Sequence, residues 1–395
     1  MLPSLFVAVP LMGAGSVGAG ISDTVRLSTA TPSNLEGVGT AAAEGPSRWR
    51  QRTQRRRQRT EELLESISDG GLAPSLRFED VDVPALEFPT IDWERHSAVD
   101  PMIPGKEVRG LRKRAQVEAF YHVLTGILDS IYAEESDVKT TVIDAGCGAG
   151  NLAVSIAGLL ADADSIYSNR SVEVLAVDTN ERALDRLSAR SALLDLPPGM
   201  LRTCCADLAD RELIRSAIED SGDHQHHRAV VVSLHACGAA SDMAMELAYA
   251  CNDAPFVLCP CCTAKSLTAR VQDGKTDQNA SFQRSGATSD ITYPRSSWLR
   301  SKLSERRLEK KYEVLAKVAD VGLGPQTPSE QRAHQRRAKR VVELDRLMSA
   351  AERRGDGQRY YVRLARIHDA RVYGKGEVLI GSPEGGAVAS ALAMI

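Results

Sequence analysis

Three glycines alternate at Gly146, Gly148 and Gly150, directly after the apolar pair Val142 and Ile143 and the carboxylate Asp144, and Asn151 follows them. Bare backbone where a strand turns into a helix lets a ligand lie against the chain, and glycine also permits the positive φ such a turn often needs. The chemistry this points to is binding of an adenine-containing cofactor. The dinucleotide fingerprint requires a small third residue three places after its second glycine, where this chain has Asn151, so NAD and FAD are disfavoured. A second carboxylate, Asp178, closes the apolar run Val172–Asp178 and offers two acceptor oxygens to ribose hydroxyls. A third, Asp207, can accept from an adenine amino group or cap the helix that follows it. Further along stand an imidazole, His235, and three thiols, Cys259, Cys261 and Cys262, with Lys265 close behind. Those groups can move a proton, attack a carbon or bind a soft metal.

The elements that must position these residues alternate. Strand-like runs fall near 141–146, 172–178, 201–205, 228–235 and 255–260, with helical patterns between them. This order predicts a doubly wound, Rossmann-like parallel α/β sheet. Val117, Phe120, Tyr121, Leu124, Leu128 and Ile131 recur at helical spacing and predict an amphipathic helix from Val108 to Glu135, ahead of the first strand. A helix over 330–354 and two runs, Tyr360–Ile367 and 377–382, predict a final antiparallel strand pair. Ligands in such sheets sit beyond the carboxyl ends of the strands, which puts Ser233–Gly238 and Leu258–Lys265 at the mouth of the site.

The pattern Asp-x-Gly-x-Gly-x-Gly resembles the first motif of S-adenosylmethionine-dependent methyltransferases. Together with Leu-His-Ala-Cys-Gly at 234–238, Asp242 and Cys-Pro-Cys-Cys at 259–262, it resembles the methyltransferase domain of the glutathione S-transferase C-terminal-domain-containing protein family. More distantly it is similar to the tRNA ribose methyltransferases. The basic helix start Arg112-Lys-Arg-Ala-Gln-Val-Glu118 resembles the lead-in of the same group. The resemblance covers roughly residues 108–383. It implies a seven-stranded methyltransferase sheet, S-adenosylmethionine as donor held by Asp144, Gly146, Gly148, Gly150, Asn151, Asp178 and Asp207, and RNA, with tRNA favoured, as partner and acceptor. Within residues 1–107 neither a glutathione-transferase-like region nor a Cys/His zinc module is seen.

For the acceptor side the residues leave alternatives open. His235 can take a proton from a hydroxyl or amine nucleophile, or serve as a bonded structural histidine. Cys259, Cys261 and Cys262 can pack as small apolar groups around Pro260, hold zinc with Cys237 and His235, or supply a thiolate for covalent catalysis on a pyrimidine. Packing is the expected role, with no metal bound. Lys265, Tyr293 and Arg295 are expected to face the substrate. Arg300, Lys302, Arg306, Arg307, Lys310 and Lys311, with Arg332, Arg336, Arg337, Lys339 and Arg340, form either a phosphate-tracking surface or ordinary solvated helix faces. A protein or small-molecule acceptor, and a catalytically degenerate fold used for binding, are the other function classes.

Composition frames this reading. A chain of 395 residues, 43% hydrophobic and 26% charged, buries a full doubly wound domain with material to spare. A net charge of −3 gives no global attraction to nucleic acid, so such binding must come from local clusters. All 8 cysteines fall between Cys147 and Cys262, inside the expected sheet region, which fits a reducing compartment. Cytoplasm is the expected location, and a cleaved organelle-targeting peptide is the alternative, since the apolar run Leu5–Met12 passes into a Ser/Thr/Ala/Gly-rich stretch and is too short to span a membrane. The expected organisation is a disordered or targeting tail over 1–69, carrying seven arginines between Ser47 and Arg59, then an irregular lead-in over 70–107. The methyltransferase domain over 108–383 follows, with a flexible insertion at 266–292, and then a tail over 384–395.

Overall fold

The computed structural model describes residues 48–67, 85–102, 105–219, 227–236, 238–262, 291–303, 307–320, 329–353, 359–367 and 376–394. Residues 1–47 of the expected tail over 1–69, Cys237, Lys265, Arg306 and nearly all of the 266–292 insertion lie outside the described residues. By its contacts the chain divides into residues 1–51 and 52–395, and the second unit holds the domain.

Eight strands form one sheet: β1 (Ala85–Leu86), β2 (Lys139–Ala145), β3 (Val172–Asp178), β4 (Leu201–Cys205), β5 (His227–Leu234), β6 (Phe256–Cys259), β7 (Tyr360–Ile367) and β8 (Glu377–Pro383). Their order is β1-β7-β8-β6-β5-β2-β3-β4. Strands β2 to β6 run parallel, while β8 lies antiparallel between β6 and β7. The expected seven strands are present with the antiparallel closing pair. The eighth is an addition: two residues of the supposedly irregular lead-in pair with Arg366 and Ile367 at the sheet edge. Two residues are too few to show an alternating pattern in sequence.

Strands buried on both faces read as continuous apolar runs, and β3 is buried throughout. Alternate side chains feed two cores. Ile143, Leu175, Val231 and Leu258 point to one face, and Val142, Val174, Val232 and Val257 to the other. The second face is covered by α2 (Glu107–Glu134), α3 (Asn151–Ala161) and α10 (Ala387–Met394). Val117, Phe120, Leu124 and Leu128 of α2 are fully buried there, each stabilising the fold by roughly 1.5–3 kcal/mol. The first face is covered by α5 (Arg211–Glu219), α6 (Ala240–Ala250), α7 (Ser297–Leu303), α8 (Leu308–Ala319) and α9 (Ser329–Glu352). The remaining helices are α1 (Arg48–Ser66) and α4 (Glu181–Ser191), the latter capped by the Asn180 side chain, which accepts from the Ala183 amide.

Two segments read as tails contain helices. The arginine run belongs to α1, because it leads into Leu64 and Ile67, which are buried in the core. The tail after 383 contains α10, whose Leu392 is fully buried and whose Ala387 amide donates to Glu134 Oε1 at 2.8 Å. Among the described residues no helix is long and apolar enough to cross a membrane.

Candidate functional site

Strand order reverses at β2, with β3 on one side and β5 on the other, so a crevice opens beyond its carboxyl end. The glycine loop leaves β2 there. Its amides are tied back to the neighbouring strand, Gly146 N and Cys147 N both donating to Val177 O, at 2.9 and 3.0 Å. All three glycines have positive φ, 75°, 55° and 72°. They differ in what their missing side chains avoid. A Cβ on Gly150 would stand 2.5 Å from Leu187 of α4, so this glycine makes room for a helix and not for a ligand. A Cβ on Gly148 would enter open space, the cradle a ligand would occupy.

Two acidic residues are bonded to the loop and to the helix that follows it. Asp178 Oδ2 accepts from Gly148 N at 2.8 Å and its Oδ1 from Asn180 N at 2.8 Å. Asp144 is buried and its Oδ2 accepts from Ala153 N at 3.1 Å, at the start of α3. Burial pushes the Asp144 carboxyl up to about 7, the Asp178 charge adds to this, and the Ala153 bond opposes it. Asn151 is the first residue of α3. Asp207 is half-buried beyond β4, and its Oδ1 accepts from Ala209 N at 3.0 Å. It does not cap the following helix. Asp210 does, accepting from Leu213 N at 3.2 Å.

The second wall is built by the loops after β5 and β6. His235 has φ 70°, an uncommon conformation for a residue with a side chain, and its amide donates to Cys259 O at 3.2 Å. Its Nε2 lies 3.2 Å from Oε1 of Gln116, a fully buried residue of α2. With Gln116 Oε1 accepting, the proton sits on Nε2 and Nδ1 is the basic nitrogen; hydrogen positions here are assigned from the bonding pattern. Sequence reasoning missed Gln116. Its signal was a polar residue beside Val117 and Phe120 on a helix face that is otherwise core. Another missed residue is Glu118, whose Oε1 accepts from Trp93 Nε1 at 2.8 Å and so fastens the lead-in to α2.

The cysteines separate into two environments. Cys259 is fully buried and burial pushes its thiol up to about 12, which removes it from the candidates for a nucleophile. Cys261 and Cys262 are half-buried, with sulfurs 3.8 Å apart, and Cys261 Sγ lies 3.8 Å from His235 O. Among the described residues no group of three or more His, Cys, Asp or Glu side chains is placed to hold a metal ion.

Tyr293 and Arg295, expected to face the substrate, and Lys339, read as part of a phosphate-tracking surface or a solvated helix face, have other tasks. Tyr293 is buried and donates from its hydroxyl to Asp242 Oδ2 at 2.8 Å. Arg295 is paired with Asp242 Oδ1 at 3.0 Å and with Glu246. Lys339 is buried beside Glu343, 2.8 Å away. Burial would raise the Asp242 carboxyl, but the Arg346 and Arg295 guanidiniums outweigh it and hold the group below its usual range. Arg337 reaches back to Leu64 O at 3.0 Å, Arg336 is exposed and Arg340 is half-buried. Beside Tyr293 lies an open cleft of about 560 Å³ lined by Thr292, Arg300, Arg307, Leu308, Glu309 and Lys310.

The cradle fits S-adenosylmethionine: a space a Cβ at Gly148 would fill, with the Asp178 carboxylate bonded to the loop beside it. Gly146, Gly148, Asp144 and Asp178 would hold it. When bound, it supplies an activated methyl group with its own leaving group.

Residues 112–269 match the family described as methyltransferase domain. The chain is 24% identical over 295 residues to the glutathione S-transferase C-terminal domain-containing protein of Xenopus laevis, covering 74% of this chain and 38% of that protein. It is 26% identical over 265 residues to the Bos taurus protein of the same name, covering 67% of this chain and 33% of that one. The match thus spans little more than a third of the curated relatives' length. Among solved structures, an rRNA methylase from Streptococcus thermophilus aligns with 12% identity, covering 64% of this chain and 92% of that one, at a TM-score of 0.29. Residues 112–269, which carry the glycine cradle with Asp144 and Asp178, are thus similar to the methyltransferase domain family.

Proposed function

We propose that the chain methylates RNA, with tRNA as the favoured acceptor, in the cytoplasm. The observation that carries this reading is the cleft beside Tyr293, whose described lining holds Arg300, Arg307 and Lys310 with one carboxylate, Glu309. Such a surplus of cations suits a phosphate backbone, and it is local, in a chain that is slightly acidic overall. Tyr293 connects the cleft to the acceptor loops, because its hydroxyl bonds Asp242 on the first turn after the β5 loop. His235 would take the proton from an attacking hydroxyl or amine as the bond to the methyl carbon forms and the carbon–sulfur bond breaks. Transfer of this kind depends chiefly on in-line positioning and exclusion of water. Among the described residues the cysteines form no disulfide, which supports a reducing compartment.

The test is a comparison of modified nucleosides in cellular RNA, with and without the gene, by mass spectrometry. Loss of one methylated nucleoside from the tRNA fraction, restored by the wild-type gene and not by His235→Ala, is the expected result. An unchanged nucleoside profile in every RNA fraction would turn the reading toward a protein or small-molecule acceptor.

A further inference from the structure

Helix α9 carries a charged stripe where packing alone would call for an apolar one. Lys339, Glu343 and Arg346 stand at i, i+4 and i+7 on one face, and all three are buried. Burying such ions costs several kcal/mol each unless every group is paired. Here the pairing is extensive. Arg346 meets Asp242 through two bonds, Nε to Oδ1 at 3.1 Å and Nη2 to Oδ2 at 3.0 Å, and its Nη1 donates to Glu343 Oε2 at 2.9 Å. Lys339 Nζ donates to Glu343 Oε1 at 2.8 Å.

Each cation also has a bond that ion pairing does not need. Lys339 Nζ donates to Pro260 O at 3.1 Å, and Arg346 Nη2 donates to Gly238 O at 3.3 Å. Gly238 lies in the turn after β5 and Pro260 in the turn after β6. The two turns are joined to each other as well, His235 N donating to Cys259 O and Gly238 N to Cys262 O. A hydrophobic stripe would bury α9 at lower cost, but it could not hold two backbone carbonyls at fixed positions.

We propose that Lys339 and Arg346 are positioning residues that clamp the β5 and β6 loops from beneath, through the carbonyls of Pro260 and Gly238, and so fix His235, Cys261 and Cys262 at the mouth of the site. The proposal deepens the methyl-transfer reading of these loops and is independent of which molecule accepts the methyl group. It also explains why Lys339 is withdrawn from the basic surface around it.

The experiment uses the full chain and needs no acceptor. Hydrogen–deuterium exchange is followed in peptides covering 232–238, 256–262 and, as a reference, 142–154. Iodoacetamide labelling of Cys261 and Cys262 is timed by mass spectrometry, and S-adenosylhomocysteine binding is measured by calorimetry. Lys339→Met removes the Pro260 bond, while Glu343 keeps Arg346 as its partner. Exchange in the two loop peptides and labelling of both thiols should rise about tenfold, the scale of one lost charge-assisted hydrogen bond. The reference peptide should hold its rate, the ligand affinity should stay within about twofold, and Lys339→Arg should restore the loops. If Lys339→Met does not fold, the pair Lys339→Met with Glu343→Gln lowers the excess buried charge and takes the same measurements. Loops that exchange as in the wild type would overturn the clamp, as would a uniform rise that includes the reference peptide. Failure of the wild type to bind S-adenosylhomocysteine would count against the methyl-transfer reading and leave the exchange result standing.

Discussion

The amide of Gly148 donates to Asp178 Oδ2 at 2.8 Å, joining the middle of the glycine loop to the end of β3 across 30 residues of sequence. The loop's shape and the placement of the Asp178 carboxylate are therefore one arrangement. Gly148 has φ 55° and open space where a Cβ would stand, so a side chain there meets the ligand before it meets protein. Gly148→Val should abolish binding of S-adenosylhomocysteine in calorimetry. Its cost to the fold should be only about 1–2 kcal/mol, from the strain of a β-branched residue in the left-handed region. Wild-type affinity in a folded Gly148→Val protein would remove this loop from the donor site.

Much of that arrangement was legible in the chain itself. Val142 to Asn151 announces strand, loop and helix because the glycines mark a backbone constraint that is local in sequence. Gln116 was not legible in the same way, since its partner His235 is 119 residues away and no periodicity marks a single contact between a helix and a distant loop. Tyr293 and Arg295 were misread for a related reason. A tyrosine and an arginine in a polar stretch look exposed until α6 and α9 bring Asp242 and Asp345 against them. The terminal helix α10 was lost because its small apolar residues, mostly alanine, resemble a tail until Leu392 finds the α2 face.

Asp144 gives a pH dependence of stability with a definite sign. Its folded carboxyl is raised to about 7 from an ordinary value of 3.8, so the folded state holds a proton that the unfolded state releases between those values. The contribution is present in full below about pH 4, is lost as pH rises toward 7, and leaves the burial penalty above that. Asp144→Asn escapes the penalty. Its stability relative to wild type should therefore climb between pH 4 and 7, by on the order of 4 kcal/mol at most. Urea unfolding at a series of pH values measures this, and a difference constant with pH would show that Asp144 is ionised in the fold.

His235 and Gln116 should act as a pair. If the imidazole accepts a proton during transfer, His235→Ala should lower kcat by about 10²- to 10⁴-fold while donor affinity is kept. Gln116→Leu keeps the imidazole but not its orientation, and should lower kcat less. The double variant should be no slower than His235→Ala alone, because the glutamine acts through the histidine. Independent, multiplying losses in steady-state assays would separate the two residues.

The cysteines should be unequal. Cys261→Ser and Cys262→Ser should retain measurable methyl transfer, and metal analysis of the purified protein should find no stoichiometric zinc. Cys259→Ser places a hydroxyl in the fully buried end of β6 and should destabilise the fold by about 1–3 kcal/mol. One equivalent of zinc that is lost with Cys259→Ser would reverse this ranking.

On the proposed RNA reading, the cationic cleft should set the dependence of binding on salt. Each phosphate neutralised contributes a slope of about −0.7 to −0.9 in log affinity against log salt concentration. Arg307, Lys310 and Arg336 are exposed, and none of them belongs to the buried network around Asp242. Replacing all three with glutamine should flatten the slope for tRNA by about two and weaken binding at low salt. S-adenosylhomocysteine affinity should not change, since none of the three residues belongs to the glycine loop or to β3. Arg337 is left in place because it donates to Leu64 O, and its loss would loosen α1 as well as remove a charge. Filter-binding titrations from about 50 to 200 mM salt distinguish the outcomes. An identical slope for wild type and triple variant would place the phosphate contacts elsewhere. No tRNA binding by the wild type at low salt would move the acceptor out of nucleic acid altogether.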